Sequence, residues 1–352
     1  MPIPILSFFT GAGFLDIGFC RPSFDTIWWN ETNLTFAEGF VYAMAVLTGN
    51  PQDDEAHICP LQQISSEDIA RAAFGGFEPP DVWGMIGGPP CQDFSIAGSQ
   101  GGHEGERGSL TRLYLERVAD LRPTFFVMEN VPGLLRTKKH REPFMEIIRR
   151  EIWPQYDATM GIYNALDYGV PQDRERLIVV GRLKSATERG LLAPWKIPPP
   201  LFPSAKFGYP WPTEVVPAGE VPEKPDLCPE ELMAGTHICG DLSGLSNGTE
   251  SFRPKSDKFG TILEGDVSRK SFKKLHRFRF SPTACYGNNE VHLHPVEPRR
   301  LTVREALRLQ SVPDGYALPP EMSLTDKFKM IGNGVPVRLA SAVADSIAEM
   351  IG

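Results

Sequence analysis

The stretch Ile3-Pro4-Ile5-Leu6-Ser7-Phe8-Phe9-Thr10-Gly11-Ala12-Gly13 opens the chain's organised part. A short apolar run bounded by proline and glycine reads as a buried strand, and two glycines at its end let the backbone turn tightly or approach a ligand. A second apolar strand, Thr26-Ile27-Trp28-Trp29, ends at Asn30-Glu31. Thr35-Phe36-Ala37-Glu38 then has capping-box spacing before an apolar segment that stops near Gly49. Further strands are expected at Val82 to Ile86, Phe125 to Met128 and Leu177 to Val180, and helices at Leu113 to Leu121 and Phe144 to Ile152. Such alternation predicts an α/β fold with a mostly parallel sheet.

With 352 residues, 41% of them hydrophobic, the chain can build one large domain or two modest ones, and disorder throughout is excluded. No run approaches the roughly 18 apolar residues of a membrane span. The opening Met1-Pro2-Ile3-Pro4 lacks the basic start of a secretion signal, so a cytoplasmic protein is expected. The six cysteines Cys20, Cys59, Cys91, Cys228, Cys239 and Cys285 form no C-x-x-C pair, which argues against a structural metal site and a disulfide framework.

From Pro194 to Pro229 eleven residues are proline, which excludes central strand and helix interior and predicts a domain boundary. The polar stretch that follows, to about Pro298, has no helical period. Regular pattern returns with Thr302-Val303-Arg304-Glu305, a second capping-box spacing that opens a helix to Leu309, and with Val337 to Met350.

Overall charge is −8, from 36 bases against 44 acids, and does not advertise a nucleic-acid binder. The distribution is uneven. Trp211 to Glu250 carries eight acids and one base, and Ser251 to Phe280 carries nine bases and three acids.

Glu31, at the end of the second strand, is placed to hold ribose hydroxyls beside Gly11 and Gly13. No third glycine follows at dinucleotide spacing, so a nucleoside without pyrophosphate, such as S-adenosylmethionine, fits better than NAD. A tight turn followed by an exposed acid accounts for these residues equally well. Gly87-Gly88-Pro89-Pro90-Cys91-Gln92-Asp93-Phe94-Ser95 places a cysteine beyond the carboxyl end of a parallel strand, where open α/β sheets bind ligands. An isolated cysteine is commonly a small buried hydrophobe, yet Gln92, Asp93 and Ser95 make this turn too polar for a core.

Five motifs then occur in order: Gly88-Pro89-Pro90-Cys91-Gln92, Glu129-Asn130-Val131, Gln172-Asp173-Arg174-Glu175-Arg176, the block from Arg300-Leu301-Thr302-Val303-Arg304-Glu305 to Gln310, and Gly332-Asn333-Gly334-Val335-Pro336. With them the sequence resembles the cytosine-C5 DNA methyltransferases, over residues 3 to 192 and 299 to 350. The resemblance implies a Rossmann-like, S-adenosylmethionine-dependent catalytic domain at 1–190 and 320–352. A smaller irregular target-recognition domain would occupy 191–298, and a hinge with the ninth-motif helix 299–319.

By the same resemblance Cys91 is the nucleophile that attacks cytosine C6, Glu129 relieves charge at N3, Arg176 grips O2 and Arg174 supports the site. Phe9, Gly11, Gly13, Glu31, Pro90, Asn333 and Val335 would form the cofactor pocket, and Gln92, Ser95, Asn130 and Thr283 would face the substrate. The glycine-rich segment Ser95 to Arg107 resembles the loop that closes over DNA. The basic run Ser251 to Phe280 would meet phosphates, and Ser281-Pro282-Thr283-Ala284 would lie beside a flipped base.

The implied partner is double-stranded DNA, bound by a monomer that is nucleoid-associated when on DNA, in a restriction-modification or phage-defence setting. Ser7 departs from an aspartate usual in the family's first motif. Phe14 replaces a second consecutive glycine, tolerable if its φ is negative. Ile58-Cys59-Pro60-Leu61 offers no aspartate for adenine. Because the first strand lies so near the chain start, the helix beside it is expected from the segment after Asn333.

A tRNA cytosine-C5 methyltransferase is the nearest rival, but its fold is short where this chain has Pro194 to Pro298. A catalytically silent DNA-binding homologue would not need Cys91, Glu129, Arg174 and Arg176 together.

Overall fold

Six strands build one sheet in the computed structural model, which describes residues 1–50, 58–90, 110–253, 258–269, 271–286 and 291–352. They are β1 (Ile3–Phe8), β2 (Phe24–Asn30), β3 (Gly84–Gly87), β4 (Phe125–Asn130), β5 (Tyr156–Asn164) and β6 (Glu175–Leu183), in the order β2-β1-β3-β4-β6-β5. The first four are parallel, and β6 runs antiparallel to both β4 and β5. Parallel strands must be covered on both faces, and β4, Phe-Phe-Val-Met-Glu-Asn, is buried along its whole length.

One face packs Leu6, Phe8, Met85, Phe126 and Met128 against Leu115 and Val118 of the helix Leu110–Leu121 and against Phe144 and Ile148. The other packs Ile5, Ile86, Phe125 and Val127 against Leu15 and Phe19 of α1 (Phe14–Phe19) and Val343 and Ile347 of the last helix, Val337–Ile351. That helix flanks β1 as expected. Gly18 makes the approach possible, since a Cβ there would fall 2.5 Å from that of Ala340.

Local signals were partly overridden. Helix α2 (Leu34–Thr48) starts before Thr35, capped by Asn33, whose side chain accepts the Phe36 N–H at 3.1 Å. Asparagine outranks threonine at that position, so the expected Thr35 box does not form. At Thr302 the box is complete: its hydroxyl accepts the Glu305 N–H at 3.2 Å, and the Glu305 carboxylate accepts the Thr302 N–H at 2.8 Å. The edge strand β5 was not expected, because most of it is only half-buried and it contains Asp157 and Gly161, both poor strand formers. Between Pro194 and Pro298 the described residues hold only helices of five residues or fewer and the two-residue pair Lys273–Lys274 and His292–Leu293. The five described cysteines are free thiols, and no helix among the described residues is long and apolar enough to cross a membrane.

Asp16, on α1, is a buried acid under the glycine turn. Burial pushes its carboxyl up to about 6, and the Ser7 hydroxyl offsets part of the rise. The folded chain therefore holds this proton more tightly than the unfolded chain, whose value is near 3.8. The stabilisation is full below about pH 4 and is lost as pH rises through 6, a change of about 3 kcal/mol. Asp16→Asn is expected to flatten the pH dependence of unfolding between pH 4 and 7, and to be the more stable protein at pH 8. Denaturant titrations at both pH values check this, and parallel pH profiles for the two proteins would contradict it.

Candidate active site

The sheet order reverses between β1 and β3, because the chain leaves β1 for β2 on one side and returns to β3 on the other. Ligands of open α/β sheets bind in the crevice at the carboxyl ends of such strands. Phe9, just past β1, has φ of 57°, and Gly11 has φ of 54°. A non-glycine residue held there stores roughly 1–2 kcal/mol of strain. The Phe9 ring is half-buried and leans edge-on to Tyr114, their centroids 6.4 Å apart.

A Cβ on Gly11 would meet nothing nearer than the Phe9 carbonyl at 3.9 Å, so this glycine leaves open space. Gly13 does not: a Cβ there would lie 2.7 Å from the Phe40 ring. Its φ of 71° and the packing of α2 each call for a glycine here. Phe14 has no positive φ and starts α1, as its substitution for glycine required.

Glu31 follows β2 and is pinned beside the turn. Its carboxylate accepts the Gly11 N–H and the Asn33 N–H, each at 2.9 Å, and its spare lone pairs remain for a hydroxyl donor. Asn333 is exposed at the end of the helix Leu324–Asn333. Val335 is 6% exposed within the apolar cluster around Leu15 and Val343, so its side chain belongs to the core and not to a ligand surface.

Beyond β3, Gly88-Pro89-Pro90 leads toward Cys91. Cys91, Gln92 and Ser95, with the whole segment Ser95 to Arg107, lie outside the described residues. Pro90 is exposed. Asn130, expected to face substrate, is 3% exposed. Its amide nitrogen donates to the Pro89 carbonyl at 3.0 Å and to the Thr111 hydroxyl at 3.3 Å, and its oxygen accepts the Val131 N–H at 2.8 Å. Asn130 therefore braces the turn that carries the cysteine.

Glu129 closes the site from behind. Antiparallel register pairs Glu129 with Ile178, which sets Arg176, two residues along on the same face of β6, at the diagonal position. Arg176 Nε lies 2.7 Å from Glu129 Oε1, and a Cβ on Gly88 would lie 3.2 Å from Glu129 Oε2. Burial pushes the Glu129 carboxyl up, opposed by the charges of Arg176 and Arg174. Burial also lowers Arg176. A carboxyl so placed keeps a proton to higher pH than an exposed one, next to a fork of guanidinium donors.

Arg174 is fully buried, and its guanidinium donates to the carbonyls of Ala284, Gly332 and Gly334 at 2.8, 2.6 and 2.9 Å. It supports the site from inside rather than touching a reacting group. The segment Ser281 to Ala284 is brought alongside: Asp173 N–H donates to the Ser281 carbonyl at 2.9 Å, and Thr283 donates its hydroxyl to the Asp173 carbonyl at 2.5 Å. Cys285, a free and half-buried thiol, follows Ala284 on the loop that Arg174 holds.

Part of the basic run is engaged within the chain. Arg277 pairs with Glu264 at 2.7 Å and Arg269 with Asp266 at 3.5 Å. Lys274 is buried, and Arg279 donates to the Pro212 carbonyl over the Phe280 ring. Lys270 lies outside the described residues. Arg277, Lys274 and Arg279 are thus engaged within the fold, while Arg269 is exposed and only loosely paired.

The profile of the family described as C-5 cytosine-specific DNA methylase matches residues 3–349. The chain belongs to this family. The methylase is 40% identical over 354 residues to the type II methyltransferase M.NmeDI of Neisseria meningitidis serogroup C, covering 97% of this chain and 82% of that one. It is 29% identical to the type II methyltransferase M.MthTI of Methanothermobacter thermautotrophicus, over 99% and 97% of the two chains. Among solved structures it shares its fold with a proposed DNA modification methyltransferase encoded within a prophage (E. coli), at a TM-score of 0.66, 23% identity and 99% of both chains. The S. pombe Dnmt2 methyltransferase gives a TM-score of 0.62, 15% identity and 99% of both chains. The methylase is thus an enzyme that acts at C5 of cytosine in DNA and draws on a methyl donor.

Proposed function

We propose that this methylase modifies a flipped-out cytosine in a specific duplex sequence, through a covalent bond from Cys91 to C6. The observation that carries the reading is the buried Glu129–Arg176 pair, set directly behind the Gly88 turn that leads into Cys91. Cytosine C5 is too electron-poor to attack a methyl group until a nucleophile has added at C6. The Cys91 thiolate supplies that electron pair. Charge arriving at N3 is met by a proton from Glu129, whose buried carboxyl holds it to higher pH than an exposed one, and Arg176 donates to O2. Once C5 carries the methyl group, its proton passes to a base and the C6–S bond breaks, which restores Cys91. C6 is out of reach inside a duplex, hence the flip.

S-adenosylmethionine fits the crevice at β1, and when bound it supplies an electrophilic methyl group. The open face of Gly11 and the Glu31 carboxylate beside it suit a ribose, the Phe9 ring suits an apolar contact, and Asn333 is assigned to the same pocket by the family resemblance. Residues 191–298 are assigned to target recognition. The type II names of the relatives support a restriction-modification role.

Bisulfite sequencing of DNA from cells expressing the protein tests the reading. Protected cytosines at one recurrent sequence are expected. Complete conversion of the DNA, with new 5-methylcytosine in the cells' tRNA, would transfer the assignment to tRNA.

Phosphate contacts are assigned to the exposed bases that follow Glu129, at the start of helix Lys138–Ile147. Arg136 is engaged by Glu175 at 2.5 and 2.8 Å. Lys138 has only a loose pair with Glu142 at 3.8 Å, and Lys139 is exposed. Such surface pairs are worth little and yield readily. Replacing Lys138 and Lys139 by alanine is expected to lower the log-log salt slope of DNA binding by up to about 1.8, at about 0.9 per phosphate. Titrations between low and moderate salt check it, and an unchanged slope would remove both lysines from the interface.

A further inference from the structure

Arg174 joins two loops that the proposed function gives to different ligands. Its Nη1 donates to the carbonyl of Ala284, which follows Thr283 on the DNA side. Its Nη2 donates to the carbonyls of Gly332 and Gly334, on either side of Asn333, and Gly334 packs against Phe14 just past the Gly11–Gly13 turn, where a Cβ would fall 2.1 Å from the ring. These partners are 110, 158 and 160 residues away in sequence. The side chain is 1% exposed, and no carboxylate forms an ion pair with it among the described residues. Carbonyl dipoles therefore carry its hydration substitute, and each lost bond leaves a buried charge less satisfied.

The guanidinium is planar and rigid, so its two amino groups hold a fixed spacing. A shift of Ala284 that carries the guanidinium with it therefore moves the donor that holds Gly332 and Gly334. A second contact acts in the same sense. A Cβ on Gly332 would lie 2.9 Å from both the backbone nitrogen and oxygen of Tyr286, so the two loops already touch backbone to backbone. Thr283, bonded to the Asp173 carbonyl next to Arg174 in the chain, ties the DNA-side loop to the same strand entry.

We propose that Arg174 is a positioning residue that couples occupancy of the methyl-donor crevice to engagement of DNA. The inference rests on the functional reading above for which ligand meets which loop. Ordering of residues 332–335 by the donor presets residues 283–286, and DNA engagement does the reverse, as linkage requires. Couplings of this kind are commonly about 5- to 150-fold.

The test uses the full chain, S-adenosylhomocysteine, and a duplex bearing the sequence found by bisulfite sequencing. Saturation with S-adenosylhomocysteine is expected to tighten DNA binding of the wild type by about tenfold or more. In Arg174→Lys, which keeps the charge but loses the fork, that ratio should fall to near one. A merely structural role would instead lower the unfolding temperature and leave the ratio unchanged, and that result overturns the proposal.

Hydrogen exchange on the wild type gives an arm independent of the variant's folding. DNA alone should slow exchange of the amides at 332–337, and S-adenosylhomocysteine alone should slow those at 281–286. If each ligand protects only its own loop, the coupling is absent. A wild type that methylates DNA yet shows a ratio of one overturns the coupling alone. One that neither binds nor methylates DNA overturns the functional reading, and this inference with it.

Discussion

Cys91→Ala is expected to bring methyl transfer below detection while S-adenosylmethionine and duplex DNA still bind. The nucleophile acts after both ligands are in place, so its loss falls on the chemical step and not on assembly. An alanine cannot form the C6 bond, and without that bond C5 has no electron pair to offer. Wild-type protein should also be trapped on DNA containing 5-fluorocytosine, where fluorine at C5 blocks the final proton loss and the C6–S bond persists. Denaturing electrophoresis reads the adduct directly. A trapped adduct with Cys91→Ala, or methyl transfer near the wild-type rate, would remove Cys91 from the reaction.

Glu129→Gln should slow single-turnover methyl transfer by about 10²- to 10⁴-fold, the usual contribution of a positioned general acid. Glutamine keeps the shape and can still hydrogen-bond, but it has no acidic proton for N3. The substitution also leaves Arg176 without its 2.7 Å carboxylate partner, so the folded state is checked by thermal unfolding before rates are compared. The pH profile separates chemistry from packing. Burial raises the Glu129 carboxyl, so in the wild type the protonated form, and with it the rate, declines as pH rises through that raised value. The glutamine variant should lack this decline. A wild-type rate for the variant, or a decline that survives in it, would exclude the assigned role.

Much of the architecture was legible because it is written locally. Apolar runs that end in glycine or in an acid gave β1, β2, β3 and β4, and the complete box at Thr302 marked its helix to the residue. The candidate site was legible only through its motifs: Gly88-Pro89-Pro90-Cys91-Gln92 comes just after β3, and Glu129 stands near the carboxyl end of β4. Less legible were features in which a distant residue competes. Asn33 displaced Thr35 as a cap, and β5 escaped notice because an edge strand needs one face only.

The sequence by itself determined the alternation of strands and helices, the apolar faces of the sheet, and where chain turns and helix caps fall. Those follow from periodicity, turn chemistry and the properties of single residues. Only the tertiary structure decided how groups far apart in the chain spend their hydrogen bonds and charge. Gly13 serves the Phe40 ring, Asn130 holds the Pro89 turn, Glu264 takes up Arg277, and Arg174 turns inward to three carbonyls. The physical reason is that a buried polar group must be satisfied by whatever the fold brings within about 3 Å, and that neighbour is set by packing, not by spacing along the chain.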